Sequence, residues 1–417
     1  MTDAPPPAPS SRTAPESATE SDPIALGSPL TMRGVTLRNR IGVSPMCMYA
    51  SADGFASDFH LVHLGRFALG GAGLVLSEAT AIVPEGRISH RDLGIWSDEH
   101  VKGLRRIAEF VSAQGAVPGI QLAHAGRRAS VTEPWRGERP LGVGEAGVGD
   151  ADAGEPPWPV VGPSSVAAGP GWPTPHAMSR AEIAASVAAW AVAAERAVAA
   201  GFRVIELHGA HGYLLHSFLS PLSNRRDDEF GGGPEGRLRY PVAVIRAIRA
   251  AIPDELPILF RLSAVDAAIG GITIDDSAAI ASALARAGAD LIDTSSGGIS
   301  TDRTVDLRVR RGFAFHADFS TRIRQEAAVA VATVGLVVDP WQAELLVRSG
   351  AADLVLLGRA MLDDPEWAHR ALRELGDGPH AGDIRFARAL DLRRRALDQL
   401  AAAGETPLSR FTGPATE

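Results

Sequence analysis

The sequence holds a single cysteine, Cys47, in 417 residues, and that scarcity closes off several classes of protein at once. No intramolecular disulfide can form, and neither an iron–sulfur cluster with several cysteine ligands nor a multi-cysteine zinc site can be built. No apolar run approaches the roughly 18–20 residues of a membrane-spanning helix, and no basic segment followed by an apolar one opens the chain. The expectation is a cytoplasmic protein without a membrane partner. Nor does any block of lysine or arginine stand apart: 49 acids against 41 bases leave a formal charge of -8, so small molecules rather than nucleic acid are the expected partners. Finally, no Gly-x-Gly-x-x-Gly follows the first strand-like run, which weakens the case for a doubly wound dinucleotide-binding sheet.

What is present is alternation. Residues 1–23 are rich in Pro, Ser, Ala and Thr with almost no large apolar side chain; they cannot offset the entropy of ordering and are expected to form a disordered tail. From Ile24, strand-like runs alternate with helical ones. Strands are expected at 41–44, 73–77, 117–121, 203–207, 258–262, 291–294, 330–334 and 354–357. Helices are expected at 101–114, 179–200, 237–252, 275–287, 319–327, 340–349 and 365–375, with a Ser179/Glu182 capping box and with Asp275 or Asp339 as caps further on. Parallel βα units in this number predict an α/β protein of the closed (β/α)8 TIM barrel type, an open sheet being the runner-up. The long Gly- and Pro-rich stretch 128–172 after the third strand is a candidate lid. The expected organisation is thus the tail 1–23, a barrel over 24–375, and a partly helical C-terminal extension over 376–417, where 385–403 reads as amphipathic with Leu390, Leu392, Leu397 and Leu400 among arginines.

In such a barrel the C-terminal ends of the strands face one pocket. After the fourth strand comes His208-Gly-Ala-His211-Gly-Tyr213, where Gly209 and Gly212 are expected to break the strand. Two imidazoles three positions apart on one turn can aim donors at a single oxygen, and Tyr213 adds a phenol able to give a proton, an arrangement suited to polarising a carbonyl. The bland alternatives are ordinary loop histidines or a metal site; a zinc site is poorly served without a third ligand, so no metal is expected. Other strand ends carry Ser44-Pro45-Met46-Cys47-Met48-Tyr49, Glu78-Ala79-Thr80, Gln121 to Arg127, Phe260 to Ser263 and Ser295 to Gly298. Gly335 and Gly358 follow the last two strands, and Arg359 is expected to open the final helix. Backbone N–H groups with a guanidinium there form a phosphate site, unless the glycines simply serve tight turns. Cys47, equally, suits a small core position.

Several of these segments together resemble the old yellow enzyme family of FMN-dependent ene-reductases, in particular its thermophilic-like, cysteine-bearing class. The likeness is carried by Asn39-Arg40-Ile41 leading into Ser44 to Cys47, Asp92-Leu-Gly-Ile-Trp-Ser-Asp98, Gln121-Leu-Ala-His-Ala-Gly-Arg127, His208 to His216, Ser220-Pro-Leu-Ser-Asn224 and Leu357-Gly358-Arg359. It implies FMN as cofactor and NADPH or NADH as reductant. Ser44, Pro45, Met46, Cys47, Ala79 and Gln121 match positions lining the flavin ring, with the Cys47 thiol close to N5. Arg261 matches the residue beside the N1/O2 edge, and Gly358 and Arg359, with Gly335 nearby, match the phosphate binders. His208 and His211 match the pair holding the substrate carbonyl, Tyr213 the proton donor and Tyr49 a second phenol over the substrate. The implied reaction reduces the C=C bond of an α,β-unsaturated carbonyl compound by hydride transfer from flavin N5 and proton transfer from Tyr213. Departures from the family pattern are Gly209 for the usual Ala, Phe230 for a common Tyr and Gly236 for a usual Asn. The class forms homo-oligomers, dimers or tetramers, in which an aromatic-x-Arg segment reaches a neighbouring site. Phe386-Ala387-Arg388 matches it, but within a stretch that reads as helix. Another FMN barrel chemistry, such as an isomerase or an amine oxidoreductase, and a non-catalytic flavin-binding barrel stay open as alternatives.

Overall fold

Eight short strands with both faces buried close on themselves in the computed structural model, which describes residues 24–142, 155–302, 304, 309–376 and 384–407. They are β1 (Ile41–Val43), β2 (Leu74–Ala81), β3 (Val117–Ala123), β4 (Val204–Gly209), β5 (Ile258–Ser263), β6 (Leu291–Ser295), β7 (Ala330–Thr333) and β8 (Leu354–Leu357). Each pairs in parallel with its neighbours, and β8 returns to β1 with Val355 opposite Ile41. Near-continuous apolar composition is what a parallel sheet covered by helices demands, and it is why every one of these strands was visible in the sequence. The hairpin Leu30–Met32/Val35–Leu37 covers the opposite end of the barrel from the site, tied by the Gly34 N–H to the Glu255 carbonyl ahead of β5 at 3.0 Å.

The outer ring consists of α1 (Asp58–Leu69), α2 (Asp98–Ala113), α3 (Arg180–Ala199), α4 (Pro234–Ala251), α5 (Ile274–Ala287), α6 (Ala317–Ala327), α7 (Pro340–Arg348) and α8 (Trp367–Leu375). Seven match expected helices, while α1 was not foreseen because its pattern is inverted. His60 and His63 are buried, whereas Phe59 and Val62 are 46% and 69% exposed. An apolar stripe is the usual sign of a helix, and here polar residues face inward. Ser179 and Glu182 form the expected capping box, the Ser179 N–H donating to the Glu182 carboxylate at 2.7 Å. Asp339 caps α7. At α5, however, Thr273 rather than Asp275 takes the cap: its Oγ1 accepts the Asp276 N–H while Asp276 bonds back to the Thr273 N–H, leaving Asp275 inside the first turn.

Residues 1–23 lie outside the described residues, as do 143–154 of the stretch read as a lid. Its described parts are ordered by a short parallel pairing of Val161–Gly162 with His176–Ala177 and by a bridge from Val131 to Pro140. In the extension, α9 (Ile384–Ala402) begins one residue before the expected start, and Leu390, Leu392, Leu397 and Leu400 are all exposed along it. Among the described residues no helix is long and apolar enough to cross a membrane.

Candidate functional site

The turn after β4 is built by packing and by two left-handed residues. Gly209 does not break the strand; it is the last residue of β4, and a Cβ there would fall 2.1 Å from the Phe260 ring. The reversal comes at His211, φ +59°, and Gly212, φ +76°. A non-glycine residue in that region needs support, which the Ser263 Oγ supplies by accepting the His211 N–H at 3.1 Å. One residue on, the Gly212 N–H donates to His216 Nδ1 at 2.8 Å, and His216 Nε2 in turn stands 2.7 Å from Asp266 Oδ1, both side chains fully buried. Tyr213 then caps the short helix Leu214–Leu219.

The three expected catalytic side chains come together. Ring centroids of His208 lie 5.0 Å from His211 and 4.5 Å from Tyr213. His208 Nδ1 accepts the Ala210 N–H at 3.3 Å, which assigns the proton of the neutral ring to Nε2. That Nε2 stands 3.3 Å from His211 Nδ1, and His211 Nε2 stands 2.7 Å from Ser295 Oγ. The imidazoles are therefore joined in series, through a long first contact, where sequence spacing suggested two donors already converging. Burial, and then the Arg261 charge, hold His208 well below the ordinary histidine range; burial and His208 do the same to His211. Both are neutral donors at neutral pH. Burial also pushes the Tyr213 and Tyr49 phenols well up, so both stay protonated.

The rim above β1 and β2 supplies Cys47 and Tyr49. A bulge between Leu76 and Ala79 re-aims this stretch of β2. The buried Glu78 carboxylate accepts the Met48 N–H and meets His60 Nε2 of α1 at 3.1 Å, so the helix the sequence hid helps to fix the segment 47–49. Tyr49, φ +54°, stands edge-on to Trp135 of the lid at 5.6 Å. Half-buried Cys47 and Tyr213 pack on one small apolar cluster with Ala79, Ala123 and Ala125. Burial, then Asp92 and Glu78, push the thiol up, so it stays protonated.

On the other side, Arg261 donates from one terminal nitrogen to Ser44 Oγ at 3.1 Å and meets Asp293 Oδ2 at 3.3 Å, while its buried Nε has no partner. Gln121 Nε2 donates to Glu206 Oε1 at 2.8 Å. A cavity of about 800 Å³ is lined by His211, Ser295 to Gly298, His316, Arg128 and Arg359 among others. A smaller cleft of about 80 Å³ runs between Val334–Val338 and Leu356–Ala360, and Arg359 borders both. Gly335, φ +125°, has no room for a Cβ, which would sit 2.8 Å from the Phe315 ring. Gly358 lies beside the Met46 sulfur, which a Cβ there would meet at 3.6 Å. Pro45 and Met46, in the segment that follows β1, are half-buried. Arg359 opens a separate short helix, Arg359–Asp363, and not the last barrel helix α8 as expected.

Sequence reasoning gave no partner to Ser263, Ser295, Arg128 or the His216–Asp266 pair. Their positions at strand ends or beside the histidine turn were a signal for the first two; nothing local announces the others. Arg128 donates to the Gly298 carbonyl at 2.8 Å and stacks over Trp172 at 5.3 Å, binding the turn to the lid. Among the described residues no group of three or more His, Cys, Asp or Glu is placed to hold a metal.

A closed barrel with a glycine–arginine cleft beside a polar cavity at the strand ends defines an α/β barrel with room for a phosphorylated cofactor. Residues 25–377 match the NADH:flavin oxidoreductase / NADH oxidase family. An NADPH dehydrogenase of Geobacillus sp. (strain WCH70) is 43% identical over 353 residues, 84% of this chain and 94% of that protein. Morphinone reductase superposes with a TM-score of 0.68 at 25% identity, over 89% of this chain and 94% of its own. A 2-naphthoyl-CoA reductase superposes at 0.73, with 22% identity over 84% of this chain but 52% of its own, and supports the fold. The chain belongs to the NADH:flavin oxidoreductase / NADH oxidase family, that of the old yellow enzymes. It is accordingly an FMN-dependent oxidoreductase that draws electrons from NADPH or NADH. The residues fit that cofactor: the partnerless Arg261 Nε suits an anionic ring edge, and the cleft at Gly335, Gly358 and Arg359 suits a phosphate.

Proposed function

We propose that this enzyme reduces the C=C bond of α,β-unsaturated carbonyl compounds. The observation that carries the reading is the grouping of two neutral imidazoles and a protonated phenol, His208, His211 and Tyr213, with His211 on the wall of the cavity that shares Arg359 with the phosphate-sized cleft. FMN, when bound, would supply the redox chemistry, hydride transfer between NAD(P)H and the β-carbon of the substrate. Ser44, Pro45, Met46, Cys47, Ala79, Gln121 and Arg261 would hold its ring, and Gly335, Gly358 and Arg359 its phosphate. The chain's own part is to bind the carbonyl and move one proton. The His208 Nε2–H, now spent on a long contact to His211, turns to the substrate oxygen, and His211, in the tautomer with its proton on Nδ1, gives the second bond while its Nε2 accepts the Ser295 hydroxyl. Drawing density to that oxygen makes the β-carbon electrophilic, and Tyr213 gives its proton to the α-carbon. Tyr49 packs over the substrate, and neutral rings suit the task because they remain donors without adding a buried charge.

The test is an anaerobic titration of the yellow holoenzyme with NADPH, followed by 2-cyclohexenone. Bleaching and then recolouring by the enone is expected. Bleaching with no recolouring by any of several enones overturns the substrate class and points to an isomerase or another acceptor, and no bleaching points to a binding protein. A second expectation concerns the histidine pair itself: p-hydroxybenzaldehyde should bind as its phenolate and produce a long-wavelength absorption band. In His208→Ala or His211→Ala its binding should weaken by roughly ten- to over a hundredfold, the size of one lost charge-assisted hydrogen bond of about 1.5–3 kcal/mol. Unchanged affinity in both variants would show that the imidazoles do not grip the oxygen.

A further inference from the structure

Beneath the proposed ring site lies a polar layer whose charges do not balance. Asp293 on β6 sits directly across from Arg261 on β5, and Glu206 on β4 sits directly across from Gln121 on β3. All four side chains are buried in the barrel, Glu206 and Asp293 completely. The layer thus contains two carboxyls against one guanidinium, and an uncompensated charge in such an interior is expensive enough that one carboxyl must take a proton. Geometry decides which. Asp293 Oδ2 stands 3.3 Å from a terminal nitrogen of Arg261. Glu206 has no ion pair, only the Gln121 amide at 2.8 Å; its Oε2 and both Asp293 oxygens are buried without a hydrogen-bond partner, so closeness to the guanidinium is what separates the two carboxyls. Burial pushes both carboxyls up; the Arg261 charge opposes it at Asp293, whereas at Glu206 the Asp293 charge adds to it, in agreement with that choice. The other titratable rings that feel Arg261 carry no compensating charge, since burial keeps His208 and His316 neutral.

We propose that Asp293 is a positioning residue that holds part of the Arg261 charge back from bound FMN, and that Glu206 beside it carries a proton and stays electrically silent. This role rests on the placement of Arg261 beside the flavin ring proposed above. Arg261 divides itself between Asp293, Ser44 Oγ at 3.1 Å and a free Nε, so the charge it presents to a ligand is set by how much Asp293 neutralises. Reduction adds negative charge to the cofactor. An ionised Asp293 therefore disfavours the reduced state, and removing its charge favours it.

The experiment is the midpoint potential of the FMN-loaded enzyme at neutral pH. Asp293→Asn should favour reduced over oxidised FMN by at least tenfold, an upward shift of about 30 mV for this two-electron couple. Glu206→Gln, which keeps the acceptor for Gln121, should leave the potential near that of the wild type. An unchanged or lowered potential in D293N, or a rise confined to E206Q, overturns the assignment. If D293N does not fold, infrared spectra of the wild type and E206Q decide: the C=O stretch of a protonated buried carboxyl should be present in the wild type and lost in E206Q, and its persistence overturns the proposal. Arg261→Gln separates the underlying placement. If it changes neither FMN retention nor the potential, Arg261 is not beside the ring; if it lowers either while D293N has no effect, the role of Asp293 alone fails.

Discussion

Tyr213→Phe is expected to slow re-oxidation of the reduced enzyme by an enone by about 10²- to 10⁴-fold, the usual contribution of a positioned general acid. The variant keeps the ring that packs at 4.5 Å from His208, so the oxygen grip and the fold should survive. Reduction by NADPH should hardly change, because no proton from Tyr213 is needed in that half. The neighbouring acids are poor substitutes. Cys47 is held protonated by burial and by Asp92 and Glu78, and Tyr49, also raised by burial, is fixed edge-on to Trp135. With the Tyr213 phenol pushed far above neutrality, the wild-type rate should also show no loss from its ionisation between about pH 6 and 9. Stopped-flow traces of the two halves, taken separately, check this. Equal slowing of both would mean that the substitution disturbs cofactor packing, and the proton would have to come from elsewhere.

The barrel was legible because parallel strands under a helical coat bury both faces and so read as unbroken apolar runs between turn residues. Legibility failed where burial and polarity part company. α1 hides because His60 and His63 turn inward while Phe59 and Val62 face out. Gly209 looked like a strand breaker and is instead a packing necessity imposed by Phe260, a residue of the next strand. The site shows the same division. Ser44, His208 and Gly358 stand at strand ends, where a barrel places its chemistry, and Gln121 and Arg261 two residues inside theirs, so their grouping follows from the strand assignment. What each one bonds to does not. The partner of Arg261 is an aspartate in the middle of β6, and an acid at that position in Leu-Ile-Asp-Thr-Ser was, with Glu206 in Val-Ile-Glu-Leu, a local sign that the barrel interior holds charge. His216 lies 50 residues from Asp266 in sequence and sits within Leu-Leu-His-Ser-Phe-Leu, which gives no hint that it supports the turn behind it.

That support should be worth more than any other single polar contact of the site. Asp266→Ala is expected to lower the folding free energy by about 3–5 kcal/mol, as removal of one partner from a buried pair does. The carboxylate accepts from His216 Nε2 at 2.7 Å, from Ser220 Oγ at 2.6 Å and from the Ile272 N–H at 2.8 Å, and its loss leaves all three buried donors without an acceptor. Burial opposes ionisation of Asp266, but the bonds from His216, Ser220 and the Ile272 N–H outweigh it and hold the pKa below the ordinary carboxylate value. A depressed pKa contributes stability above the unfolded-state value and loses it as pH falls through the folded one. Urea unfolding midpoints should therefore differ most between wild type and variant near neutrality, with the gap closing as the pH drops below about 4. Function should follow structure in the fraction that folds. Without Asp266 the His216 ring is no longer fixed as acceptor of the Gly212 N–H, the residue before Tyr213, so enone-dependent re-oxidation should slow while NADPH-dependent reduction is spared. A stability loss under about 1 kcal/mol, or a gap that does not change with pH, would show that the pair is not what holds the catalytic turn in place.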